Sequence, residues 1–187
     1  MNDNSKKITI SGTNNRYLMK KLIKEDNIEN NLKKRIVSQK WSLSEGCYEF
    51  PYQWNLVNDL INKSANNNNI TKIMTQEINK KISSYRHQDV IKNRWDEQKF
   101  ITFDVILQKM VESQMKCRYC KCEMYILYDI VREMNQWSVD RIDNNRGHSI
   151  DNFHLACLDC NLKRRRRSDD KFLFTKQLTL IKKETDI

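Results

Sequence analysis

Apolar residues recur at helical spacing through the first half of the chain. Leu18 and Leu22, then Leu32 and Ile36, lie four residues apart with lysines between them, which predicts helix over residues 16–40. An aromatic stretch follows, with Trp41, Tyr48, Phe50, Tyr52 and Trp54 around Gly46 and Pro51. It predicts a turn packed onto a helix from about Gln53 to Asn62. The run of asparagines over residues 66–69 reads as a loop, residues 70–86 as a third helix and residues 88–95 as a fourth. Phe103 to Gln114 reads as a helix with Thr102 as its N-cap, since a threonine hydroxyl can accept an orphan backbone N–H.

The pattern then changes. Cys117 to Cys122 is too rich in cysteine for ordinary helix, and Trp137 to Ile142 alternates as a strand does. Asn144-Asn145-Arg146-Gly147 is turn chemistry, Phe153 to Ala156 predicts a second strand, and Asn161 opens a last helix. The reading is a helix-rich α+β fold: a helical N-terminal region over residues 1–98, then a knuckle, hairpin and helix over residues 99–187. The first 14 residues are polar and predict no element.

Composition sharpens this picture. Three glycines and one proline among 187 residues favour helix, and the length suits one or two small domains. A formal charge of +10 favours a polyanionic partner, and Lys163, Arg164, Arg165, Arg166 and Arg167 are five consecutive cations. No stretch approaches the roughly 20 apolar residues of a membrane span. The N-terminus lacks the apolar core of a secretion signal, so the expectation is an intracellular protein, cytoplasmic or nuclear, without a membrane partner. In that setting six cysteines read as thiols or metal ligands rather than disulfides.

Four of them form two C-x2-C pairs, Cys117/Cys120 and Cys157/Cys160. Each pair lets two thiolates converge from a tight turn, and two pairs complete a tetrahedral, structural Zn²⁺ site. The segment between them is too short for a core of its own, so a metal clip is what would keep it folded. Cys122 is a competing ligand at this level, and Cys47 has only a core reading. Between the pairs, Asp140 and Asp143 flank an arginine, and Asn161 follows 21 positions after Asp140. Carboxylate and amide oxygens are ligands that Mg²⁺ accepts.

The stretch from Cys117 to Arg165 resembles the HNH, or ββα-metal, endonuclease family, particularly its zinc-containing members similar to phage recombination endonuclease VII. The residues that carry the resemblance are Asp140-Arg-Ile-Asp-Asn144, Gly147-His148, Asp151-Asn152 and Cys157-Leu-Asp-Cys160-Asn161. It implies a ββα-metal finger in which Asp140 and Asn161 hold a catalytic Mg²⁺ or Mn²⁺, and Asn152 orients the general base. The base should directly follow Asp140, where this chain has Arg141, and a guanidinium cannot abstract a proton. His154, His148 and Asp143 are the substitutes nearby. Asn152 and His154, two apart on one strand, should share a face. Arg141 would then grip the scissile phosphate.

The resemblance thus implies metal-dependent hydrolysis of DNA phosphodiesters, with residues 163–167 neutralising backbone phosphates. Two other readings stay open: a DNA-binding module whose catalysis is impaired by Arg141, and an interaction protein in which the finger is a stable knob. The DNA structure or sequence recognised stays open, as does the oligomeric state, a dimer included.

Overall fold

The computed structural model describes residues 33–178, and from Arg35 onward these belong to one compact unit. Most of the helix expected over residues 16–40 lies outside the described residues. Its end forms one short turn, α1 (Ile36–Gln39). A 3₁₀ turn at Glu45–Tyr48 leads into α2 (Phe50–Ile61), which starts three residues before the expected position because Pro51 suits the first helical turn. Asn68 caps α3 (Asn69–Ile91), its side chain accepting from Thr71 N at 2.9 Å. α3 runs through the expected break after Arg86: neither glycine nor proline interrupts it, so the third and fourth predicted helices are largely one. Thr102 caps α4 (Phe103–Glu112) as expected, accepting from Val105 N.

Strands β1 (Trp137–Arg141) and β2 (Phe153–Cys157) pair antiparallel, with Asp140 opposite His154 and Arg141 opposite Phe153. α5 (Leu158–Arg164) begins three residues before Asn161, because Cys157 Sγ accepts from Cys160 N and so serves as its N-cap. α6 (Asp169–Gln177) was not expected from the sequence, although Ser168 followed by two aspartates is a helix-start signal. The described fold is therefore mixed helix and a small two-stranded sheet. One hydrophobic core joins Trp41, Met74 and Ile78 to Ile106, Trp137 and Phe172, so packing is continuous across the 98/99 boundary.

Two polar devices tie the helices to the later part of the chain. Along α3, Glu77, Lys81, Tyr85 and Asp89 stand at four-residue steps. Glu77 pairs with Arg35 at 2.6 Å, and Lys81 donates to Gln136 and to the Trp137 carbonyl. Tyr85 OH accepts from Val139 N at 3.1 Å, and Asp89 grips His148. Burial pushes Lys81 down to about 7, with Arg35 adding to the shift, and pushes Tyr85 up to about 12.

The second device is Gln53, fully buried on α2. Its amide nitrogen donates to Tyr48 O and Leu127 O at 3.0 and 2.9 Å. Its oxygen accepts from Ile126 N and Leu127 N at 2.8 and 2.9 Å. Gln53→Ala leaves four backbone groups without this partner, at about 1–3 kcal/mol for each that stays dry. We expect the variant to lose at least ~3 kcal/mol in urea unfolding; a loss below ~1 kcal/mol would mean that water replaces the amide.

Candidate metal centre and nucleic-acid interface

The four thiols of Cys117, Cys120, Cys157 and Cys160 lie within 4.8 Å of one another. Cys120 Sγ and Cys157 Sγ are 3.8 Å apart. A tetrahedron with metal–sulfur bonds of about 2.3 Å has edges of about 3.8 Å, so the cluster could hold a metal ion. Its donor set of four sulfurs suits zinc and leaves no position for a substrate. Cys122 stands outside the group, its Sγ 3.8 Å from Asn135 Oδ1. Cys47 is partly buried against the core. Hydrogen bonding from Cys157 and from backbone N–H groups lowers the Cys117 thiol, and the same hydrogen bond together with burial raises Cys157, so the group shares its protons unevenly.

The knuckle that carries the first pair is closed by its own backbone. Cys117 N donates to Cys122 O at 2.9 Å, Lys121 N to Cys117 O at 3.1 Å, and Met124 N to Met115 O at 2.8 Å. Lys121 takes a left-handed backbone at φ 61° to complete the turn. Arg118 N donates to Leu155 O and ties the knuckle to β2.

Next to this cluster, Asp140, His154 and Asn161 come to one face of the hairpin. Asp140 and His154 are directly opposed across the strands, and Asn161 Nδ2 donates to Ser138 Oγ and Val139 O at 3.0 and 3.2 Å. Val139 is also the residue whose N–H meets Tyr85, so Asn161 satisfies the other backbone group on that open edge of β1.

Asp140 is 4 % exposed, and Arg164, at 0 %, lies against it. Arg164 Nε donates to Asp140 Oδ2 at 2.8 Å, and its other nitrogens donate to the carbonyls of Arg141, Ile142 and Arg167. The Tyr119 hydroxyl lies 2.5 Å from Asp140 Oδ2 and 2.6 Å from Asp169 Oδ1, with one proton to donate between them. Burial raises the Asp140 carboxyl, with Tyr119 and Arg164 pulling the other way. Asp140 and Tyr119 in turn hold Arg164 above its ordinary value, against its own burial. As it stands a guanidinium neutralises the Asp140 carboxylate through Oδ2, so a hard divalent ion would have to displace Arg164. The Asn161 amide holds the strand by its nitrogen, which leaves its oxygen to offer.

The candidates for proton transfer or phosphate grip are dispersed. His154 lies at 3.4 Å from Asp169 Oδ2 and borders a pocket beside the knuckle. Burial holds it below its ordinary value, and the Arg118 and Lys109 charges add to that against the pull of Asp169. His148 is buried between α3 and the hairpin turn, its Nδ1 2.8 Å from Asp89 Oδ1 and its ring stacked on Tyr85. Burial lowers it too, and its contacts are those of a structural latch. Gly147 beside it has no room for a side chain, since a Cβ would meet Arg94 O at 2.4 Å. Arg141 belongs to the opposite face of the hairpin from Asp140, its Nη1 donating to Asn144 O and Arg146 O. Asn152 spends its whole amide on the β1–β2 turn, with Asp143 N, Asp143 O and Gly147 O as partners.

The basic run also divides. Arg164 is a buried structural residue and not a contact for an outside anion, which corrects its place among the predicted DNA-binding side chains. Lys163 is exposed and paired with Asp159 at 2.8 Å. Arg165, Arg166 and Arg167 border a half-open cleft of about 880 Å³, together with Lys92, Arg94 and Arg141. Asp143 is the one carboxylate on its wall. Lys92 and Arg94 had no sequence signal beyond general basicity; Tyr119 and Asp169 had none that linked them to Asp140.

Comparison with protein-family models, with curated proteins and with solved structures finds no match. The HNH resemblance therefore rests on the motif residues of this chain.

Proposed function

We propose that the chain is a zinc-stapled module of HNH type that holds DNA by its phosphate backbone. The observation that carries this reading is the cleft: six cations from the end of α3, the end of β1 and the segment after α5, against one carboxylate. Such a surface contributes affinity by releasing counterions and reads no bases. The state of Asp140 favours binding over cleavage, because Arg164 provides the charge that a metal ion would otherwise bring, and Arg141 has no acceptor for a proton.

One observation favours a second reading, metal-dependent hydrolysis of the phosphodiester: Asp140, Asn161 and His154 share one face. Hydrolysis would require the Arg164 side chain to leave Asp140 before Mg²⁺ or Mn²⁺ could enter.

A single set of assays separates the readings. Labelled duplex DNA is titrated by anisotropy across a salt series, and supercoiled plasmid is incubated with Mg²⁺, Mn²⁺ or EDTA. We expect binding without nicking. Arg165→Gln with Arg166→Gln should weaken binding on the order of tenfold and reduce the slope of log K against log salt by about 2. Metal-dependent nicking that Asp140→Asn abolishes would establish the hydrolase instead. Absence of both binding and nicking would sink the two together.

A further inference from the structure

We infer that a second phosphate-binding site lies between the C-terminal end of α4 and the cysteine knuckle. It takes a backbone phosphate of DNA, and in that respect it rests on the reading above.

The site is a half-open pocket of about 470 Å³. Lys109 comes from α4, Lys116, Arg118 and Lys121 from the knuckle and its approach, and His154 from β2. Glu112 is the one acid on the wall, and Lys109 and Gln108 both bind it, at 3.0 and 3.1 Å. Lys116 and Lys121 have no ion-pair partner among the described residues. Arg118 reaches Asp169 only at 3.9 Å, and its Nε is buried without any hydrogen-bond acceptor. That Nε is closed to water and so to an anion in the pocket; what the pocket meets is the exposed remainder of the Arg118 side chain. Nothing aromatic lines the pocket except the His154 ring, so it offers no stacking platform for a base, and its donors suit a tetrahedral oxyanion.

The pocket is also rigid where it needs to be. Lys116 N donates to Ser113 O, Arg118 N to Leu155 O and Lys121 N to Cys117 O, so all three basic residues are held at the backbone. Cys117 and Cys120 lie among them, and a metal ion in the cluster fixes their spacing. Pre-set cations lose less freedom on binding than cations on a loose loop.

This pocket and the first cleft draw on opposite faces of the hairpin: His154 shares the face of Asp140, and Arg141 belongs to the other. A single phosphate cannot reach both, so the two sets of contacts should act separately on affinity.

The test is the double variant Lys116→Gln with Lys121→Asn, asparagine being tolerated at the positive φ of residue 121. Its metal content and unfolding midpoint serve as the folding control. Duplex DNA should bind the variant on the order of tenfold more weakly, with the salt slope reduced by about 2. In the wild type, DNA should shift the amide resonances of residues 116–121 and His154. Inorganic phosphate forms a parallel arm. Unchanged affinity and slope in a folded variant would overturn the site while leaving the cleft standing. Shifts with inorganic phosphate but none with DNA would overturn the nucleic-acid assignment. If the wild type binds no DNA at all, the proposed function and this assignment both fail, and silence in the phosphate arm removes the pocket as an anion site altogether.

Discussion

Stripping a metal ion from the four-cysteine cluster should unfold the second half of the described chain. Residues 113–136 contain neither helix nor strand, only isolated bridges. The cluster shares the task of holding them with buried Met115, Tyr119, Met124 and Ile126 and with bonds such as Arg118 N to Leu155 O. Structural zinc in comparable sites contributes about 10–16 kcal/mol at neutral pH, as much as the whole net stability of an ordinary domain, about 5–15 kcal/mol. We therefore expect one equivalent of zinc per chain by elemental analysis. A strong chelator should lower the melting midpoint by ~20 °C or more, at roughly 2–4 °C per kcal/mol for a chain of this size. Cys160→Ser should behave like the chelated protein, and Cys122→Ser, outside the cluster, should keep both zinc and midpoint. A chelated protein that melts unchanged would make the four thiols ordinary core residues. DNA binding through the knuckle pocket should vanish with the zinc, because its lysines are spaced by the same turn.

Arg164→Ala should be the next most damaging change, and for a reason unrelated to DNA. The guanidinium serves Asp140, Tyr119 and three backbone carbonyls from a fully buried position. Removing it strands a buried carboxylate and leaves those carbonyls without this donor, and breaking a buried pair in this way costs about 3–5 kcal/mol. The expected fall in melting midpoint is on the order of 10 °C. Asp140→Asn should cost less, because an amide still accepts from Tyr119 and from Arg164. In the Asp140→Ala/Arg164→Ala double variant the penalties should sum to less than the singles, since neither charge is then left alone. Additive penalties would show that the two residues are not coupled and that Asp140 is free for another cation. The same cycle thus bears on the two functional readings, because a carboxylate that the fold does not need is the one that remains available for a metal.

Much of the frame was legible because it depends on local chemistry. Thr102 and the alternation from Trp137 mark their elements by capping and by period, and both pairs of cysteines are neighbours in sequence. What escaped was buried polarity. Gln53 looks like any helix-surface glutamine, and only the approach of the loop at 126–127, which supplies three of its four partners, makes it a buried tie. Lys81, Tyr85 and Asp89 are spaced one helical turn apart, a visible stripe, but nothing in it says that a hairpin lies alongside.

The basic run shows most clearly where the line falls. Five consecutive cations are equivalent in charge, and the spacing of Cys160 and Arg164, one helical turn, was the only local hint that the second of them turns inward. The amino-acid order was enough to specify a helix-rich chain with a four-cysteine clamp, a hairpin and a strongly basic surface, since spacing, period and charge are properties of the chain itself. Which cations face solvent, and whether Asp140 meets a metal or an arginine, depended on the packing of α5 and α6 against the hairpin. Burying a charge is tolerated only where a partner is already in place, and the partners here come from segments up to 50 residues apart.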